Sequence, residues 1–270
     1  LLAKGAHITE INTIRKRMSA VKGGRFAKIC SPAKVISIIL SDIIGDQLDM
    51  IASGPAYPDR STSKEAQKIA RKYHLTLTGD MEKLLEKETP KSLDNVETYV
   101  NGSVRKLVRA AADAAAELGY EPLVLSDCLN CEAREAGSFL GAIARTYQDT
   151  TVSRAFIAGG ETVVHLTGNG KGGRNQEIAL AGAISIAGLQ DTAIFSVGSD
   201  GTDGPTDAAG GYADGQSLAD TKGILAEEAN DALINNDAYH FLQRIGGLII
   251  TGPTGTNVND VSVVLIKRDL

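Results

Sequence analysis

The segment Gly168-Asn169-Gly170-Lys171-Gly172-Gly173-Arg174-Asn175-Gln176-Glu177 places four glycines and two cations between an apparent strand at 162–166 and an apparent helix at 175–187. A strand that turns into a helix through such a loop belongs to an α/β layer, and it makes a place where anions bind. Glycines let backbone N–H groups approach a phosphate closely, and the helix adds unpaired donors and the positive end of its dipole. Lys171 and Arg174 add full charges, and a guanidinium can grip two oxygens at once. A solvated turn has a similar composition. The spacing Gly168-x-Gly170-x-x-Gly173 also fits a dinucleotide fingerprint, which calls for a ribose-holding acid about 20 residues on, after the next strand. Asp191 has that spacing but precedes the strand 192–197, whereas Asp200 follows the strand but comes late.

Other loops repeat the arrangement. Ser199-Asp200-Gly201-Thr202-Asp203-Gly204-Pro205-Thr206-Asp207 and the segment 251–260 follow apolar runs, as do Ser41-Asp42-Ile43-Ile44-Gly45-Asp46 and then Ala52-Ser53-Gly54-Pro55. Open α/β sheets bind ligands in such loops. Periodicity predicts helices at 10–21, 63–73 and 80–87 around the strand 35–40, and then a break at Pro90-Lys91-Ser92. After the break come strand 96–100, helix 103–118, strand 122–126 and helix 132–147, a regular α/β alternation. Strands 154–158 and 162–166 lie close enough in sequence to pair antiparallel, which predicts a mixed sheet. Helix 175–187, strand 193–197, helices 213–229 and 238–244, and strands 248–250 and 261–266 complete the chain. The fold class is α/β: a layered mixed-sheet domain preceded by the remainder of a second, Rossmann-like α/β domain.

At 270 residues and 43% hydrophobic content the chain can bury a large core. A net charge of −5, with no basic cluster interleaved with aromatics, argues against a nucleic-acid partner. No apolar run has the length of a membrane span and no secretory signal is visible, so a cytoplasmic enzyme without a membrane partner is the expectation. Cys30, Cys128 and Cys131 cannot build a disulfide framework, although Cys128-Leu129-Asn130-Cys131 has the spacing of a thioredoxin-like pair. The four histidines are scattered without zinc-ligand spacing.

Several of these strings, taken in order, resemble the glycerate 2-kinase family, whose C-terminal portion is called the MOFRL domain and whose members are also named hydroxypyruvate reductases. The strings are Glu10-Ile11-Asn12, Arg15-Lys16, Val21-Lys22-Gly23-Gly24-Arg25, Ser41-Asp42, Ala52-Ser53-Gly54-Pro55 and Gly172-Gly173-Arg174-Asn175-Gln176. The resemblance covers nearly the whole chain. It implies residues 1–92 as the remainder of the N-terminal kinase domain and 93–270 as the MOFRL-type domain. Family members carry a further N-terminal segment with a Ser-Gly-Gly-Gly-Ser type loop and a lysine, which nothing here matches, so the chain is expected to be the C-terminal part of a longer protein.

The implied reaction is ATP- and Mg²⁺-dependent phosphorylation of D-glycerate to 2-phosphoglycerate. NAD(P)H-dependent reduction of hydroxypyruvate, or an inactive fragment that binds nucleotide or a partner, are the alternatives. Glycerate and nucleotide are the expected partners, and a homodimer is left open. The resemblance and the loop together make Arg174 the expected catalytic cation. Asp200 is the expected base, or a Mg²⁺ ligand together with Asp203 and Asp207. Nucleotide contacts are expected from Gly170, Lys171, Gly172, Gly173, Ser53 and Gly54, and substrate contacts from Asn175, Asp42, Lys22 and Arg25. Asp46 is expected beside Asp42.

Overall fold

The computed structural model describes residues 1–41, 47–219 and 224–268. They form two compact units, Leu1–Asn101 and Gly102–Leu270. The first contains helices α1 (Ile8–Met18), α2 (Arg25–Cys30), α3 (Ser63–Lys72) and α4 (Gly79–Glu86), with strand β1 (Val35–Leu40) paired to β2 (Val96–Gly102). Thr62 and Glu65 cap the start of α3 reciprocally, and the Thr78 hydroxyl accepts from the N–H of Met81 at the start of α4. Each satisfies N–H groups that a helix end leaves open. Ile14, Ala66, Ala70 and Leu85 pack α1, α3 and α4 together, while Ala27, Ile39, Ala56 and Tyr57 form a second cluster beside β1. Helix α2 has no counterpart in the sequence expectation. Its six residues are too few to show periodicity, and it starts behind Gly24 at φ 81°.

The second unit contains α5 (Val104–Glu117), β3 (Glu121–Leu129), α6 (Ala133–Thr146), β4 (Arg154–Gly160), α7 (Arg174–Ile186), β5 (Thr192–Gly198) and β6 (Gly210–Asp214). It closes with α8 (Ile224–Ile234), α9 (Ala238–Ile245), β7 (Leu248–Ile249) and β8 (Asp260–Ile266). The sheet runs β3-β4-β8-β5-β6-β7, with β3 and β4 parallel and the other pairs antiparallel. Alternate residues of β4 and β8 point to opposite layers. Ala155, Ile157, Val261 and Val263 meet α5, whereas Phe156, Val264 and Ile266 join the core formed with α6 and α7. The mixed α/β class therefore holds, with helices on both faces of one sheet.

Two expected elements differ. Residues 162–166 do not pair with β4; they contribute a single bridge from Val163 to Glu132. Strand β8 takes the place beside β4, because a central strand is covered on both faces and the apolar run Val263–Ile266 suits that position. Where the helix 213–229 is expected, 210–214 forms β6 and α8 covers Ile224–Ile234. Two glycines disguise that strand: a Cβ on Gly210 would collide with the Ser196 carbonyl, and one on Gly211 with Leu242. No helix of the described residues is long and apolar enough to cross a membrane.

Helices α6 and α7 pack through Gly137 and Gly141, where added Cβ atoms would strike the Ile178 carbonyl and the Ser185 side chain. Gly137→Ala is therefore expected to destabilise the second unit by about 1–3 kcal/mol through overpacking, even though alanine favours helices. Thermal unfolding checks this, and an unchanged or raised midpoint contradicts the packing account.

Candidate active site

Strand β4 ends at Gly160, and Arg174 opens α7 beyond the glycine loop. The N–H groups of that loop point inward. Thr167 and Gly168 donate to Asn236 Oδ1 at 2.7 and 2.9 Å, Asn169 to Asn235 Oδ1 at 3.2 Å, Gly170 to the Asn235 carbonyl at 2.9 Å, and Lys171 to Asp237 Oδ1 at 2.9 Å. Cβ atoms on Gly168 and Gly170 would run into residues 235–237, so these glycines permit close approach to protein. Asn236 sits at φ 54° and also donates from Nδ2 to Glu177 Oε1 at 2.8 Å. Burial raises the pKa of Glu177 above the ordinary carboxylate value against that hydrogen bond.

The start of α7 already holds a carboxylate. Asp203 is 4% exposed, and its Oδ1 accepts from the N–H of Asn175 at 3.1 Å while Oδ2 accepts from the N–H of Gln176 at 2.9 Å. The side-chain amides of both residues donate to it as well. Burial pushes the Asp203 pKa up to about 6, against the pull of these donors. Asn175 is fully buried, its Oδ1 accepting from the Ser196 hydroxyl at 2.6 Å. The first two glycines of the loop and two donors of the helix are thus engaged within the protein. A Cβ on Gly173 would likewise strike the Asp203 carboxylate, and Gly170, Gly172, Gly173 and Arg174 border the opening.

Arg174 projects between two carboxylates. Its Nε and Nη2 donate to Asp260 at 2.5 and 3.1 Å, and Nη1 donates to Glu161 at 3.3 Å. Burial works against its charge, but the ion pairs outweigh burial and raise its pKa above the ordinary arginine value. Arg174, Glu161, Glu177, Asp203, Gly172 and Gly173 line a cleft of about 500 Å³ in the second unit. Glu161 does not stand out in the sequence, and Asp260 does so only as the last residue of the loop 251–260. Asp260 lies 86 positions from Arg174, and only the pairing of β8 with β4 and β5 brings it near.

Asp200, Asp207 and Lys171 are not among the residues that line the cleft, although a Cβ on Gly198 would touch the carboxylates of both Asp200 and Asp260. Asp200 follows β5, half-buried, with Oδ1 accepting from the N–H of Thr202 at 2.9 Å. Asp207 accepts from the Tyr239 hydroxyl at 2.7 Å, which lowers its pKa, and the Lys171 ammonium lies 4.3 Å from the centroid of the same tyrosine ring. Among the described residues no group of three or more His, Cys, Asp or Glu is arranged to hold a metal ion. Asp191 stands at the opposite end of β5 from Asp200, about 20 Å along the strand. The free thiol of Cys131 has its pKa raised by burial and by Glu135, the reverse of an activated redox cysteine.

In the first unit, two expected loops meet each other. Gly23 donates to the Ser53 carbonyl at 3.0 Å and Gly24 to the Gly54 carbonyl at 2.8 Å. Lys22 Nζ donates to the Ala52 carbonyl at 2.7 Å, and the buried Ser53 hydroxyl donates to Asn12 Oδ1 at 3.1 Å. Arg25 Nη1 caps the end of α1 through the carbonyls of Lys16 and Ser19 at 2.6 and 2.7 Å. Ala52, Ser53 and Gly54 all adopt φ between 50° and 60°, which is strained for the first two. Asp42 and Asp46 lie outside the described residues.

Comparison with known proteins places this geometry among relatives. A family model described as the MOFRL family matches residues 154–260, and one described as a domain of unknown function (DUF4147) matches residues 1–86. The chain is 50% identical over 270 residues to the D-glycerate 2-kinase of Thermotoga maritima, covering 98% of this chain and 64% of that protein. It is 31% identical to a glycerate kinase of Macaca fascicularis, covering 99% of this chain and 81% of that protein. The crystal structure of the Thermotoga maritima glycerate kinase superposes with a TM-score of 0.93 at 48% identity, covering 99% of this chain and 65% of that one. The chain thus spans about two thirds, at most, of the Thermotoga protein it matches.

Proposed function

The chain belongs to the glycerate kinase family, and from that premise we propose that it takes part in phosphoryl transfer from ATP to the 2-hydroxyl of D-glycerate, with Arg174 as the charge that meets the transferring group or the substrate carboxylate. The observation that carries this reading is Arg174 itself: a guanidinium fixed at a helix start, opening on a cleft edged by Gly172 and Gly173. Phosphoryl transfer asks mainly for positioning and for neutralisation of charge on the equatorial oxygens. Arg174 supplies directed N–H donors and a positive charge shared with Asp260, in a partly buried setting where such interactions are worth more than in water.

Asp203 keeps the helix start rigid by occupying its inner donors, which leaves the outer edge for a ligand. Magnesium accompanying nucleotide phosphates needs only one or two protein carboxylates, and Asp200, with one oxygen engaged by Thr202, suits that role or the acceptance of the hydroxyl proton. Lys171, Asp207 and the loops of the first unit containing Lys22, Arg25, Ser53 and Gly54 are assigned to ligand contacts on the strength of the family motifs. The division into 1–92 and 93–270 is proposed on the same basis.

A coenzyme assay tests the reaction class. The chain, alone and joined to the part of the Thermotoga protein outside the matched span, is given D-glycerate with ATP and Mg²⁺, and separately hydroxypyruvate with NADH. ADP formation that depends on glycerate is the expected result. NADH oxidation without ADP formation contradicts it.

A further inference from the structure

Arg174 has five N–H donors in one plane, and its two edges meet different partners. The Nε–Nη2 edge lies on Asp260 with both carboxylate oxygens engaged. The Nη1–Nη2 edge meets Glu161 Oε1 alone, at 3.3 Å from Nη1. Asp260 is 5% exposed and is the first residue of β8, held in register opposite Gly160 of β4 and Gly198 of β5. Backbone pairing on both sides therefore fixes where its carboxylate stands. The Glu161 side chain is 49% exposed, and a single exposed ion pair of that kind contributes little. One carboxylate is an anchor and the other is replaceable.

We propose that Asp260 is the positioning residue of this site: by holding the Nε–Nη2 edge it presents the Nη1–Nη2 edge of Arg174 to the incoming phosphoryl or carboxylate group, which takes the place of Glu161. The inference rests on the phosphoryl-transfer reading for its kinetic consequences but not for its geometry. Asp260 alone already balances the guanidinium charge, and a second anchored carboxylate would leave the group net negative. An exchangeable one keeps the guanidinium ordered and gives way to a dianion that accepts from two N–H groups at once.

The test compares Asp260→Asn, Glu161→Gln, Arg174→Lys and the Asp260→Asn/Arg174→Lys double variant in the two preparations above. Asp260→Asn is expected to lower kcat about 10²-fold by loosening the guanidinium, with a much smaller change in the KM for ATP. In the Arg174→Lys background the same substitution should cost under about threefold, because two residues acting through one group are not additive. Glu161→Gln should lower the KM for glycerate or ATP. Independent losses that multiply in the double variant, or wild-type kcat in a folded Asp260→Asn protein, overturn the proposal.

The Arg174 Nε–H resonance gives a readout that needs no turnover. It should be protected from solvent exchange in the wild type and in Glu161→Gln, and unprotected in Asp260→Asn. Inorganic phosphate should shift it more in Glu161→Gln than in the wild type. If no preparation forms a phosphorylated product, the kinase reading falls, while this resonance still decides for or against Asp260 as the anchor.

Discussion

Arg174→Lys is expected to lower turnover about 10³-fold while leaving the fold intact, on the scale of a lost transition-state arginine. Lysine retains the charge, so Asp260 is not left buried and unpaired. What it loses is the pair of edges: an ammonium is a point charge and cannot hold Asp260 on one side while presenting a fork on the other. Steady-state kinetics on a variant whose circular dichroism and unfolding midpoint match the wild type checks this. A kcat within about threefold of wild type would remove Arg174 from the reaction.

Asp59→Ala is expected to give the largest loss of stability. In the first unit Lys16 and Arg17 have side chains 2% and 0% exposed, and the fully buried Asp59 carboxylate joins them at 3.1 and 3.3 Å. Thr89 and Ser61 donate to the same carboxylate. Removing it strands two buried cations, a change that ordinarily costs 3–5 kcal/mol; because Lys16 keeps Asp49 and Arg17 keeps Glu88, about 3 kcal/mol is expected. Hydrogen exchange of the α1 amides reads this locally. A loss of protection below about 1 kcal/mol contradicts the account.

The same group gives the first unit an acid dependence. Burial alone would raise the Asp59 pKa, but the hydrogen bonds from Thr89 and Lys16 prevail and hold it below the ordinary aspartate value. A folded-state value lower than the unfolded one means that this contribution is complete above about pH 4 and is lost as the pH falls through the folded-state pKa. The difference in α1 protection between wild type and Asp59→Ala should therefore shrink on acidification and not at alkaline pH.

Much of the architecture could be read from the sequence because it is written locally. The apolar runs of β1, β4, β5 and β8 and the alanine-rich periodicity of α5 each announce an element within a few residues. Strand β6 escaped because Gly210 and Gly211 serve neighbouring backbone and a leucine, and so resemble a loop. At the site, the glycine loop and Arg174 were visible, but what surrounds them was not. The partners of residues 167–171 lie 65 to 69 positions away at 235–237, and Asp203 closes the helix start from 27 positions away. A glycine that lets backbone approach a phosphate and one that lets it approach an asparagine are the same letter. The glycines and cations mark the turn in the sequence, and only tertiary pairing shows which of its donors are engaged within the protein.

The central claim, transfer to the 2-hydroxyl of D-glycerate, is tested most directly by phosphorus NMR of a reaction containing ATP, Mg²⁺ and D-glycerate, with the chain alone and joined to the remaining part of the Thermotoga protein. The resonance of 2-phosphoglycerate growing with that of ADP in either preparation is the predicted result. The absence of any phosphorylated product from both, with both folded, contradicts it.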